Sequence, residues 1–164
     1  MDIALPLDQT DRAILNHLQT QAKLTNAQLA QYVGLSPAST LERVRKLESR
    51  GIIKNYQAQL DPKKLALHTC VLGQIKLQPL TAASVAAFQE TIAHIPEVVA
   101  CYQVVGDADF LLKVVATDIA AYQQLVMHRL SEVQGIQLIK TLVITATIKE
   151  TGLPVTSPHS ASAT

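Results

Sequence analysis

Arg43, Arg45, Lys46, Arg50, Lys54, Lys63 and Lys64 crowd residues 42–64, opposed there only by Glu42, Glu48 and Asp61. A guanidinium donates two parallel hydrogen bonds to a phosphate or to the edge of guanine, whereas an ammonium meets a phosphate as a point charge. The chemistry on offer is anion recognition. Residues 1–64 hold nine Lys/Arg against six Asp/Glu, and residues 65–164 hold five against seven, on a chain of net charge +1. Such a localised basic stretch suits a module that meets nucleic acid, and equally a solvated helix face.

A second constellation is Gly106-Asp107-Ala108-Asp109. A glycine turn exposes backbone N–H groups to a carboxylate, and either aspartate suits an ammonium, but tight hairpins require the same residues. The histidines offer less. His17, His94 and His128 sit singly on expected helices and His68 in a loop, without metal-ligand spacing. No glycine-rich phosphate loop, nucleophile elbow or Cys-x-x-Cys occurs. The expectation is therefore no catalytic residue, no metal site and no cofactor. Cys70 and Cys101 are too few for a disulfide framework.

These residues need elements to position them. Asp8 is placed to cap a first helix bearing Asp11 in its first turn and Ile14, Leu15 and Leu18 on one stripe. Thr25 caps a short second helix, with Leu29, Ala30 and Val33 inward, that stops at Gly34. Ser36 then caps a third, with Pro37 at its first position, running to about Arg50. Two helices joined by a Gly-Leu-Ser turn predict a helix-turn-helix, whose second helix leads with its first turns into the major groove. The candidate DNA contacts are Ser36, Ser39, Thr40, Arg43, Arg45, Lys46, Arg50 and Lys54. Arg43 can read guanine or clamp a phosphate; Arg45, Lys46, Arg50 and Lys54 suit phosphates, which fix register rather than sequence.

The rest of the chain alternates between strand and helix patterns. Ile52–Leu60 reads as a strand, broken by Asp61-Pro62. From Thr69 the order is strand (Thr69–Leu77), helix (Thr81 to about Ile95), strand (Val98–Val105), strand (Phe110–Ala116), helix (Asp118 to about Leu130) and a long final strand (Ile136–Ile148). That βαββαβ order is ferredoxin-like. The fold class is thus α+β: a helix-turn-helix domain (1–51), a strand linker (52–66), a ferredoxin-like domain (67–149) and a disordered tail (150–164). Apolar or small residues on strands, such as Val71, Gly73 and Ile75 or Val143, Thr145 and Thr147, point to an apolar uncovered sheet face closed by a second copy.

Composition agrees with a folded chain. Of 164 residues, 48% are apolar and 16% charged, but only 4% aromatic, so aliphatic side chains must fill the core. No apolar run is long enough to span a bilayer. The first residues, Met1–Pro6, lack a basic n-region and a long apolar stretch, so the default expectation is a soluble cytoplasmic protein.

From Leu7 to about Lys149 the residues resemble the Lrp/AsnC (feast/famine, leucine-responsive) family of transcriptional regulators. The resemblance rests on Leu7-Asp8-x-x-Asp11-x-x-Ile14-Leu15, Leu29-Ala30-x-x-Val33-Gly34-Leu35-Ser36, Arg43-Val44-x-x-Leu47-Glu48-x-x-Gly51-Ile52-Ile53 and Gly106-Asp107-x-Asp109-Phe110-Leu111-Leu112, in order. It implies a regulator that binds double-stranded DNA, carries an amino-acid effector, and assembles as homodimers into octamers or similar discs. It places the effector between dimers, which by position implies Tyr102, Gly106, Asp107, Asp109, Thr141 and Val143. Ala108 departs from the family, where an aromatic or larger residue is common, and Lys64–His68 lacks a glycine often found there. The alternative function is a metabolite-binding oligomer whose helix-turn-helix serves protein contacts. Steep salt dependence of DNA binding separates the two.

Overall fold

The computed structural model describes residues 7–155. They form two compact units, one of residues up to Gln59 together with those from Lys149, the other Leu60–Ile148.

The first unit is built from three capped helices. In α1 (Gln9–Thr20), the Asp8 side chain accepts from the Asp11 N–H at 2.7 Å. In α2 (Asn26–Val33), Thr25 and Gln28 satisfy each other's backbone N–H groups as a capping box. Gly34 ends α2 with φ of 69°, a left-handed conformation that disfavours residues carrying a Cβ. In α3 (Pro37–Ser49), Ser36 accepts from the Ser39 N–H at 3.1 Å. Ile14, Leu15, Leu29 and Leu47 form the buried cluster, with Leu7, Leu18, Leu24, Val33, Val44, Ile53 and Val155 packed around it.

Two expectations are corrected here. Residues 52–60 do not form a strand in this chain. Alternation prepares a segment for pairing, but a strand exists only through hydrogen bonds to a neighbour. The segment expected as a disordered tail contributes Leu153 and Val155 to this unit. Residues from 156 onward lie outside those described.

The second unit starts with a single 3-10 turn, Pro62–Leu65. Then follow β1 (Thr69–Leu77), α4 (Ala82–Ala93), β2 (Val98–Gln103), β3 (Phe110–Ala116), α5 (Ile119–Leu125), a widened turn at Val126–Leu130, and β4 (Ile136–Val143). The strands pair antiparallel in the order β2-β3-β1-β4, which is ferredoxin-like. Val71 pairs with Val114 on one side and Val143 on the other, setting the register of the central strands. Val71, Ile75 and Leu77 of β1 and Phe110, Leu112, Val114 and Ala116 of β3 are buried with Phe88, Ile92, Tyr122 and Leu125 of the helices. Phe88 and Phe110 meet at 4.5 Å between ring centroids.

The final strand stops at Val143 rather than Ile148. Ile144 still donates to the Cys70 carbonyl at 2.9 Å, one residue beyond the last paired positions, Val71 and Val143. The expected apolar face is also corrected. Val71, Gly73 and Ile75 are buried on the helix side, and Thr145 and Thr147 lie beyond β4. Alternation then gives the opposite face Leu72, Gln74 and Lys76 of β1, facing Leu142, Lys140 and Leu138 of β4. That face mixes leucine with lysine.

Candidate nucleic-acid interface and effector turn

The connection between α2 and α3 is tightly defined. The Leu35 N–H donates to the Ala30 carbonyl at 3.0 Å past Gly34, and Asn26 Nδ2 donates to the Pro37 carbonyl at 2.7 Å. The second bond joins the starts of both helices, so the turn cannot open without breaking it. Ser36 and Ser39 stand exposed at the head of α3, their hydroxyls 3.0 Å apart. Arg45, Lys46 and Lys54 are exposed, and Arg50 is partly covered at the end of the helix.

Two residues of the expected interface behave differently. Thr40 is fully buried, its hydroxyl donating to the Ser36 carbonyl at 3.0 Å, so it makes no DNA contact in this geometry. Its polarity suggested exposure, but a threonine hydroxyl satisfies itself on the preceding turn and buries its methyl group. Arg43 Nη1 lies 2.6 Å from Asp8 Oδ2 and 2.8 Å from Asp11 Oδ1. The guanidinium therefore holds α3 against the start of α1. Bonds from the Asp11 N–H and from Arg43 keep the Asp8 carboxyl below its ordinary value, and the bonds to Asp8 and then Asp11 make Arg43 still harder to deprotonate. Asp8, Asp11, Ser39, Glu42, Arg43 and Lys46 are among the residues lining a cleft of about 520 Å³ on this side of the unit. The i, i+3 spacing of the two aspartates puts them on one face of α1, a signal that reads from sequence only as a cap and a dipole partner.

Beyond α3, the Tyr56 hydroxyl donates to Glu48 Oε1 at 2.8 Å. Burial, and next this bond, push its pKa up to about 12. This contact fixes the first residues of the exit segment and was not visible in the sequence.

The turn between β2 and β3 is a closed structure. The Val104 N–H donates to the Asp109 carbonyl and the Asp109 N–H to the Ile75 carbonyl, both at 2.9 Å. Asp109 Oδ2 accepts from the Leu77 N–H at 2.8 Å, where the β1–β4 register shifts. Its carboxylate is thus committed to the end of β1. The Asp107 side chain is exposed, and Lys76 Nζ reaches the Asp107 carbonyl at 3.4 Å. Gly106, with φ of 149°, makes the turn.

The six expected effector residues do not converge within one chain. Gly106, Asp107 and Asp109 lie together at the turn. Tyr102, 57% exposed, sits on β2 at one edge of the sheet, and Thr141 and Val143 sit on β4 at the other. Two strands separate these edges, a span of roughly 14 Å. Thr141 bonds the Tyr122 hydroxyl at 2.9 Å, beside Gly73. Among the described residues, no group of three or more His, Cys, Asp or Glu is placed to hold a metal ion. His17 stacks on Tyr32 at 4.8 Å, and His94 Nδ1 bonds the Glu90 carbonyl at 2.7 Å. Nor is any helix among them long and apolar enough to cross a membrane.

Comparison with known proteins also divides the chain in two. A family model described as winged helix-turn-helix DNA-binding matches residues 7–54, and the Lrp/AsnC ligand binding domain matches residues 70–154. The chain is 36% identical over 149 residues to the transcriptional regulator AzlB of Bacillus subtilis, covering 91% of this chain and 95% of that protein. It is 40% identical over 135 residues to the Bkd operon transcriptional regulator of Pseudomonas aeruginosa, covering 82% and 88%. A Neisseria meningitidis transcriptional regulator, solved as a complex with L-Met, superposes with a TM-score of 0.88 at 32% identity, over 92% of this chain and 97% of that one.

Proposed function

The chain belongs to the Lrp/AsnC family of transcriptional regulators, and from that premise we propose how its parts divide the work. It is a DNA-binding regulator whose binding or assembly responds to an amino acid or related small molecule. The carrying observation is the head of α3: small hydroxyl residues lead and a basic flank follows, on a helix fixed by its turn. Ser36 and Ser39 allow close approach to base edges, while Arg45, Lys46, Arg50 and Lys54 meet phosphates. Arg43 acts as a positioning residue, setting α3 on α1 through Asp8 and Asp11.

The effector is an amino acid or a close relative, in keeping with the L-Met complex of the meningococcal relative. Because Tyr102 and Thr141 stand at opposite sheet edges, a site using all six expected residues needs more than one copy of the chain. A homodimer assembling further, to an octamer or similar disc, supplies those copies. The protein works without catalysis and in the cytoplasm, a reading supported by relatives that are named as regulators.

Fluorescence anisotropy tests this directly. The purified protein is titrated on a duplex from upstream of its own coding sequence and on a scrambled duplex, at two salt concentrations, with and without pooled amino acids. Preference for the upstream duplex, weakening steeply with salt and shifting with the pool, is the expected result. Equal, salt-insensitive binding to both would overturn the DNA reading in favour of a protein-contact role for the helix-turn-helix.

A further inference from the structure

The helix that holds Arg43 is itself held at its far end by a segment distant in sequence. Gln19, near the C-terminus of α1, donates from Nε2 to the Leu153 carbonyl at 3.1 Å and accepts at Oε1 from the Leu153 N–H at 2.7 Å. A carboxamide carries one donor side and one acceptor side, so it pairs with the N–H and C=O of a single residue as a neighbouring strand would. The Leu153 side chain is 80% exposed, so the recognition runs through the backbone.

Two further observations point the same way. A Cβ on Gly152 would sit 3.0 Å from Gln19 Cδ and closer still to Oε1, so any larger residue there would displace the Gln19 carboxamide from its place beside Leu153. Val155 packs against the buried cluster of Ile14, Leu15, Leu29 and Leu47. Leu15, Leu18, Gln19, Ile53, Leu153 and Val155 all line one groove of about 610 Å³ beside α1. With so few buried apolar residues in this unit, one more valine and two more hydrogen bonds are a substantial addition.

We propose that residues 152–155 are a clasp on α1, an intramolecular interaction whose seating sets the local stability of α1. Through Asp8 and Asp11 on the same helix, it also sets the hold on Arg43 and the recognition helix. The clasp rests on this geometry alone; its bearing on DNA rests on the regulator reading.

Gln19→Ala is an informative variant because alanine is the better helix former. Were Gln19 only a surface residue, the change would leave α1 as stable or more so. Loss of the clasp predicts the reverse. Hydrogen-exchange mass spectrometry of the full chain is expected to show α1 amides exchanging about five-fold faster in Gln19→Ala, the effect of roughly one net hydrogen bond. The β1 and β3 amides should not change. Gly152→Val, which displaces the Gln19 carboxamide while leaving the sequence of α1 unchanged, should give the same pattern. Unchanged α1 exchange in both variants would overturn the clasp. Faster exchange with DNA affinity identical to the wild type would overturn its reach to α3, which predicts a loss of two- to five-fold on upstream and scrambled duplexes alike. Absence of DNA binding by the wild type would sink the regulator reading, while the exchange result still decides the clasp.

Discussion

The two units reach order by different physics. Around α1–α3, the buried cluster is Ile14, Leu15, Leu29 and Leu47, and much of the definition comes from polar bonds at helix ends: Asp8, Thr25, Ser36, Asn26 and the Arg43 clamp. In the sheet unit, fourteen buried apolar side chains from every strand except the two edges, and from both helices, form one cluster. The first kind of structure is sensitive to charge, pH and single bonds; the second is sensitive to volume. The DNA-binding helices are thus mounted on the part of the molecule that conditions can tune.

The largest effect should come from emptying the sheet core. Phe110 is 1% exposed and packed on Phe88, so Phe110→Ala should cost about 3–5 kcal/mol, read by urea unfolding. Exchange should accelerate in β1 and β3 and leave α2 as it was. Equal acceleration everywhere would break the comparison, because the two units would then share one cooperative core.

Next is the clamp. Arg43 is about a third exposed, so solvent screening keeps the loss in Arg43→Ala to roughly 1 kcal/mol, confined to the first unit. A positioning role predicts that affinity falls by the same factor on upstream and scrambled duplexes. A loss of about 1–3 kcal/mol confined to the upstream duplex would instead make Arg43 a base reader. Acid should reproduce part of this. The folded Asp8 carboxyl lies below its ordinary 3.8, so its contribution is present above that value and disappears as pH falls through the lower folded one. Arg43→Ala should flatten that acid limb when unfolding is followed from pH 5 downward.

Smaller still are the flank charges. Lys46→Ala should weaken binding to any sequence and reduce the slope of log affinity against log salt by about 1. An unaltered slope removes Lys46 from the phosphate contacts. Smallest is Tyr56. Its phenol titrates at about 12 against an ordinary 10, so its contribution is present below pH 10 and is lost as pH climbs toward 12. Tyr56→Phe should abolish that alkaline loss in the first unit, read by unfolding followed between pH 10 and about 12.

How much of this could be read without coordinates follows the same division. The three helices were legible because their signals are local: Asp8, Thr25 and Ser36 as caps, Gly34 as the left-handed stop and Pro37 as the start. The βαββαβ order was legible because period-2 and helical patterns alternate. Strand limits were not, since they depend on partners: residues 52–60 have no strand partner in this chain, and β4 ends at Val143, short of the alternation that continues to Ile148. The exposed face of α3 was legible as a surface but not residue by residue. Thr40 turns inward on its own helix, and Arg43 finds carboxylates 32 and 35 residues away. The pairing of Gln19 with Leu153 spans 134 residues and leaves no local mark beyond a glycine.

That last separation bears on how the protein is made. The three helices of the first unit have all been synthesised by Ser49, yet Val155, which packs on their core, follows about a hundred residues later. At translation rates of about 5–20 residues per second, the interval is roughly 5–20 s. A nascent chain therefore carries its DNA-binding helices for seconds before the clasp can close, while the intervening sheet unit is still emerging. Closure of the clasp on the DNA-binding helices thus follows synthesis of the whole sheet unit.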